Sequence, residues 1–334
     1  MKKHTAFLTI LILCLLLSSC AMPDMPLTRT DFLMDTVVTI KLYDSRDEDI
    51  LDECFEICRR YEALFSRTIP DSDIGRLNAA AAEGMTEPLP LSPETIELIR
   101  IGLEYGELSD GRFDITIAPL STLWDFGAED PHVPSDEEIS RALALVDYRK
   151  VQITEDGVLL PEAGMAIDLG GIAKGYIADR LAEYLRDAGV ASAVISLGGN
   201  VYCVGSRPDK KAFRISIENP DPGALTDAGV YRVADASVVT SGGYERGFTE
   251  NGKWYHHILD TRTGYPVEND LASVTIFSAD SVVGDALSTT CFALGFEEGL
   301  ALINSLPDVY AMFITTDNFC HDSEGLTDHF PSDM

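Results

Sequence analysis

Two stretches of the chain hold residue types suited to an anionic, oxygen-rich ligand. In the first, Asp168 closes an apolar run, Gly170-Gly171 form a flexible corner, and Lys174-Gly175 open the next segment. That segment reads as a helix, because Ile177, Leu181, Tyr184, Leu185 and Ala188 recur at the spacing of one buried helical face. The leading N–H groups of a helix lack internal partners and its dipole favours negative charge there, so such a corner can receive phosphate oxygens. Glycine lets the backbone come close to a ligand, and Lys174 supplies a point charge. A tight turn followed by a solvated lysine has the same sequence. The spacing is neither a Walker A loop, since no Ser or Thr follows Lys174, nor a G-x-G-x-x-G fingerprint.

In the second stretch, Asp285 and Thr289 are four apart on a predicted helix and share one face. A carboxylate with a hydroxyl is hard oxygen chemistry, suited to Mg²⁺ holding phosphate oxygens, and Ser288 could join directly or through water. The competing account is a dipole-favoured acid beside a small packing residue. His256-His257 are read in a strand, where they point to opposite faces and cannot both ligate one metal. One is then an acid or base and the other structural. Arg112-Phe113-Asp114 follow a turn. Phe113 is expected in the core, and Asp114, at a strand start, could accept from an adenine amine or a ribose. Gly-x-Ser-x-Gly is absent, so a serine triad has no support.

The elements that must position these residues alternate irregularly. Residues 32–43 read as a strand, and Leu51, Cys54, Phe55, Cys58, Tyr61 and Phe65 mark an amphipathic helix. Residues 68–78 read as a polar loop, Ser92-Pro93 as a helix start, and 112–119 as a strand. Ser135 and Glu138 form a capping box, and Asp156-Gly157 a hairpin turn. Gly189 ends the helix after Lys174, and strands are expected at 193–197 and 201–205. Further strands fall at 213–217, 230–233, 237–243, 254–259, 272–277 and 310–315. Helices fall at 282–294 and 297–305, and the acidic tail is expected to fray. Without strict βαβ alternation, α+β is favoured over a doubly wound sheet.

The ends and composition add bounds. Lys2 and Lys3 precede an apolar run from Ala6 to Leu17, then Ser18, Ser19 and Cys20, which has the parts of an export signal and is short for a span. No later run is long enough to cross a membrane. The chain carries 25 Lys and Arg against 55 Asp and Glu, a net charge of −30. Such a surface repels nucleic acid and anionic lipid, and it repels a pyrophosphate too, so that ligand needs a local cation. Of the seven cysteines, Cys54 and Cys58 read as small buried residues, and their disulfide status stays open.

Taken together, the segments 32–36, 65–78, 111–119, 168–175, 196–200, 240–243, 257–264 and 285–289 resemble the ApbE flavin transferases, over roughly residues 32–330. Leu17-Ser18-Ser19-Cys20 resembles the lipobox of bacterial lipoproteins. These resemblances imply a signal peptide at 1–19, a tether at 20–30 lipid-anchored through Cys20 to the extracytoplasmic face of the cell membrane, and a transferase domain at 31–330. They imply an α/β roll of the T-fold type, with mixed or antiparallel sheets, packed helices and FAD between two closely associated halves. The implied activity is Mg²⁺-dependent cleavage of FAD, with FMN attached through a phosphoester to a threonine of a target flavoprotein and AMP released. Met34, Arg112, Phe113, Asp114, Asp168, Lys174 and Leu259 would contact FAD. Gly171 would offer a carbonyl to the metal, with Asp285, Ser288 and Thr289 completing the site, and His257 would take the threonine proton. One departure stands out: Met34-Asp35-Thr36 occupies the place of the usual Met-Gly-Thr. An FAD pyrophosphatase and a flavin-binding lipoprotein without turnover are the alternatives.

Overall fold

The computed structural model describes residues 25–221 and 223–333, so Cys20 and the segment 1–19 read as an export signal lie outside the described residues. The elements run β1 (Leu27–Leu33), β2 (Thr36–Leu42), α1 (Glu48–Phe65), α2 (Asp73–Ala82), α3 (Pro93–Leu108), α4 (Ala118–Trp124) and α5 (Asp136–Leu143). Next come β3 (Gln152–Thr154), β4 (Gly157–Leu159), α6 (Ala173–Asp187), β5 (Ser192–Leu197), β6 (Asn200–Gly205), β7 (Phe213–Ile217) and β8 (Gly229–Val233). The chain ends with β9 (Ala236–Gly242), β10 (Gly247–Glu250), β11 (Lys253–His256), β12 (Leu271–Ser278), α7 (Ser281–Leu294), α8 (Phe296–Ser305), β13 (Tyr310–Thr315), β14 (Cys320–Asp322) and α9 (Leu326–His329).

Eight strands form one sheet in the order β1-β2-β5-β6-β9-β12-β13-β14, and its pairings are antiparallel. The period of two in each strand sorts side chains to opposite faces. Val38, Ile40 and Leu42 of β2 point into a cluster with α1, α3 and α6, while Val274 and Ile276 of β12 pack against α7 and α8. The helical face thus holds one core cluster under each half of the sheet. On the other face, Cys203, Val238 and Phe277 are covered by the β7–β8 hairpin and α9. The expected α+β architecture is what forms.

Several local expectations give way to tertiary detail. Residues 32–43 are two strands, because the chain turns at Met34-Asp35, both left-handed at φ 55° and 54°. Residues 27–30, assigned to the tether from sequence, are already paired in β1. The loop at 68–78 contains the start of α2, where the Ser72 hydroxyl accepts from Gly75 N at 2.8 Å. Residues 112–119 form no strand. The Asp114 carboxylate accepts from Thr116 N and Thr116 Oγ1, both at 2.7 Å, which winds Ile115–Ile117 into a 3₁₀ turn, and Pro119 then sits in the first turn of α4. Strand β11 stops at His256. The acidic tail is ordered through residue 333: Phe330 joins the core, Arg232 N donates to Pro331 O at 2.9 Å, and the Asp333 carboxylate pairs with Arg214 and Arg232.

Candidate functional site

Helix α6 carries the glycine corner to α7. A Cβ on Gly175 would lie 2.4 Å from Ser281 O, so only glycine permits the approach of the two helices. At this contact the Gly175 backbone N–H donates to Asp285 Oδ2 at 2.8 Å. Lys174 Nζ stands 3.8 Å from Asp285 Oδ1 and donates to Gly170 O at 3.4 Å. The Asp285 side chain is 4% exposed, that of Lys174 27%. Burial raises the Asp285 pKa, while the Lys174 charge and the Gly175 N–H oppose it.

The rest of the α7 face is built from hydroxyls. Ser241 Oγ on β9 lies 2.8 Å from Ser288 Oγ and 3.3 Å from Thr289 Oγ1, and Ser288 Oγ also donates to Asp285 O at 3.0 Å. Ser288 is fully buried within this net, whereas Thr289 is partly open. A Cβ on Gly171 would sit 3.9 Å from Thr289 Oγ1 and 3.0 Å from Phe113 Cε2. The corner at Gly171 is therefore wedged between Thr289 and Phe113. Among the described residues no cluster of three or more His, Cys, Asp or Glu could hold a metal. The groups that could hold a cation here are the Asp285 carboxylate, the Ser288 and Thr289 hydroxyls and the Gly171 backbone carbonyl. Such a set suits Mg²⁺, which keeps few protein ligands and shares the rest with water and phosphate.

Asp168 is held from three sides. Arg67 Nε lies 2.9 Å from Oδ2, Ser121 Oγ donates to the same oxygen at 3.0 Å, and Gly170 N donates to Oδ1 at 2.9 Å. Phe113 is buried and meets the Tyr105 ring edge-on at 6.4 Å. Asp114 starts a 3₁₀ turn and not the expected strand. Its carboxylate accepts from Thr116 and from Tyr148 N at 2.9 Å, and burial raises its pKa, so the side chain shapes the turn. Arg112 reaches Asp260 at 3.5 Å while its Nε is buried without a partner, a donor left for a ligand. Thr261 Oγ1 donates to Gly111 O at 2.6 Å, which fixes the 259–261 segment beside Arg112. Leu259 is buried with Leu120 and Trp124.

The two histidines have different partners, and His257 lies past the end of β11. His256 is structural: Nε2–H donates to Val267 O at 2.9 Å, Nδ1 accepts from Ile258 N at 3.3 Å, and its ring stands edge-on to Phe292. His257 Nδ1 faces Arg246 O at 3.3 Å, which assigns the proton to Nδ1 and leaves Nε2 as an acceptor. Burial pushes its pKa down to about 4, and the charges of Arg246 and Lys174 add to the effect. The ring is neutral at physiological pH. Arg246 also donates to Asp35 O at 2.7 Å, joining the histidine to the Met34-Asp35 turn, where Met34 N donates to Glu62 Oε1 at 2.8 Å.

Beside this site a cavity of about 170 Å³ opens between Gly198-Gly199, Thr240, Tyr244, Glu245 and Glu218. Burial raises the Glu245 pKa, and Lys174 opposes it. Arg67, Ser121, Ser241 and Arg246 had no assigned role in the sequence. Each is a long-range partner of a residue that did, and only segment membership at 65–78 and 240–243 pointed toward two of them.

The ApbE family model matches residues 34–313. The FAD:protein FMN transferase of Klebsiella pneumoniae (strain 342) is 39% identical over 285 residues, covering 85% of this chain and 87% of that protein. That of Treponema pallidum (strain Nichols) is 33% identical, covering 90% and 88%. Among solved structures, the apo form of the Pseudomonas stutzeri flavinyl transferase ApbE superposes with a TM-score of 0.81 at 31% identity, covering 93% of this chain and 98% of that one.

Proposed function

The chain belongs to the ApbE family, and we propose that it is an FAD:protein FMN transferase, as its relatives are named. It transfers FMN from FAD to a threonine hydroxyl of a target flavoprotein. The threonine oxygen bonds to the phosphorus of the FMN half, the P–O bond to the AMP phosphate breaks, and the hydroxyl proton passes to a base. The observation that carries this reading is the junction of the two chemical stretches, with Gly175 N–H and Lys174 both on the Asp285 carboxylate.

Each group has a task in this reading. Lys174, at the N-terminus of α6, gives a chain of net charge −30 a local cation for the pyrophosphate. His257 offers an unprotonated Nε2 to the threonine proton. Arg112 brings its unpaired Nε to FAD. Asp168, held by Arg67, and Met34, Phe113, Asp114 and Leu259 line the FAD path, and Asp114 also holds the turn after Phe113. Asp285, Ser288, Thr289 and the Gly171 carbonyl would hold Mg²⁺, which when bound supplies charge neutralisation at the pyrophosphate and at the departing AMP.

The test mixes residues 21–334 with FAD, Mg²⁺ and a threonine-bearing acceptor. A flavin-fluorescent acceptor band that survives denaturation is the expected result. Free FMN and AMP without labelled acceptor would replace transfer by FAD hydrolysis, and no turnover would leave a binding protein.

We also infer lipid anchoring through Cys20 at the extracytoplasmic face of the cell membrane, supported by Leu17-Ser18-Ser19-Cys20 after the apolar run. Among the described residues no helix is long and apolar enough to cross a membrane. Detergent-phase partition of the full chain, lost in Cys20→Ser, tests this; equal partition of the two would remove the anchor.

A further inference from the structure

Helix α7 carries Asp285, Ser288 and Thr289, yet it does not cap itself. The residue before it, Asp280, makes no side-chain bond to the first turn. The capping group comes instead from α6: Asp179 Oδ1 accepts from Ser281 N at 2.6 Å, and Oδ2 accepts from Val282 N at 2.9 Å. Both bonds are made to leading N–H groups, which an α-helix cannot satisfy internally. Asp179 lies one turn beyond Gly175, so the same face of α6 grips α7 twice, at its first turn and at Asp285. Two other ties hold the same end. Ser237 Oγ donates to Ser281 Oγ at 2.8 Å, and Tyr202 OH donates to Ala279 O at 3.0 Å.

We propose that Asp179 is a positioning residue for the divalent-cation site, fixing the axial and rotational placement of α7 so that Asp285 and Thr289 face the Gly171 corner. The inference rests on the metal reading given above. The arrangement is costlier than helix stability alone requires. Burial raises the Asp179 pKa to about 7, with the two N–H bonds holding it down and Asp280 adding repulsion. An exposed Ser or Asp just before the helix would cap it without that desolvation, as Ser135 does for α5. What the trans cap adds is a fixed relation between α6, which carries Gly171-side groups and Lys174, and α7.

The experiment measures Mn²⁺ binding to the FAD-free protein by the electron paramagnetic resonance of the free aqua ion, with thermal midpoints recorded in parallel. The proteins are wild type, Asp179→Ala, the isosteric Asp179→Asn, and Ser135→Ala as a control that removes an unrelated cap. Asn keeps the shape of Asp179 but turns one acceptor into a donor facing an N–H. Expected is a loss of roughly tenfold or more in Mn²⁺ affinity for both Asp179 variants, of the size seen when a group supporting metal ligands is removed. The control should keep wild-type affinity despite a lower midpoint. Should Asp179→Ala not fold, Asp179→Asn decides alone. Wild-type Mn²⁺ affinity in folded Asp179→Asn overturns the positioning role while leaving the metal site intact. No Mn²⁺ binding by the wild type overturns the metal reading and the positioning role together.

Discussion

Gly175 N lies 2.8 Å from Asp285 Oδ2, joining by one hydrogen bond two segments 110 residues apart. The bond exists because Gly175 has no side chain. A Cβ there would sit 2.4 Å from Ser281 O and 2.7 Å from Val282 Cα, both of them backbone of the helix that carries Asp285. Gly175→Ala must therefore push α6 and α7 apart. Overpacking of this kind costs about 1–3 kcal/mol, and the same shift lengthens the bond to Asp285. The expected outcome is a lower urea midpoint together with weakened Mg²⁺ dependence of transfer. Wild-type values of both would show that the helices have slack at this contact.

Asp285 should trade stability for function. Its pKa is raised by burial in the fold, so as pH rises the unfolded chain releases this proton first. Its contribution is favourable below the ordinary carboxylate range and is lost as pH climbs through the raised value. Asp285→Asn removes the buried charge and keeps an acceptor for Gly175 N–H. In EDTA at pH 7 its thermal midpoint should match or exceed that of the wild type, while Mg²⁺-dependent transfer is abolished. Retained metal-dependent turnover would remove Asp285 from the cation site.

Local patterns in the sequence carry through to the structure. The apolar face from Ile177 to Leu185 and the glycine at 189 delimit α6, and the alternation of Val38, Ile40 and Leu42 identifies the buried face of β2. Propensity gives way where a single side chain outvotes it. Ile115-Thr116-Ile117 is β-branched and reads as a strand, but Asp114 and Pro119 wind it into helical turns. The Met34-Asp35 turn was hidden because neither residue is the glycine such a backbone favours. The site splits the same way. Lys174, Asp285 and Thr289 stand out by type and spacing, and Met34, Leu259 and the Gly171 carbonyl only through the family resemblance. Arg67 on Asp168, Ser241 on Thr289 and Asp179 on Ser281 are pairings that only the fold creates.

His257 should report its environment through acid. Its folded pKa is lowered to about 4, mainly by burial, against 6.5 in the unfolded chain. Between those values the unfolded state binds the extra proton, so this group removes stability as pH falls from 6.5 toward 4. His257→Gln lacks the effect. Between pH 7 and pH 4.5 the wild-type urea midpoint should fall further than that of the variant, and the variant should transfer flavin roughly 10²–10⁴-fold more slowly, the span for removal of a general base. Equal midpoint shifts would mean the ring is solvated in the fold.

Asp35 sits at φ 54° beside Met34 at φ 55°, a conformation that L side chains resist by roughly 1–2 kcal/mol and glycine does not. The contact that ties this turn to His257 runs from Arg246 to the Asp35 backbone carbonyl, so it survives loss of the side chain. Asp35→Gly relieves the strain but gives the unfolded chain more freedom, and the two effects partly offset. The variant is expected to be between unchanged and about 1 kcal/mol more stable, with transfer activity retained and KM for FAD no higher than wild type. Asp35→Val keeps a Cβ and adds branching at the same φ, and it should lose stability. A destabilised Asp35→Gly with raised KM would instead give the Asp35 carboxylate a direct part in seating FAD.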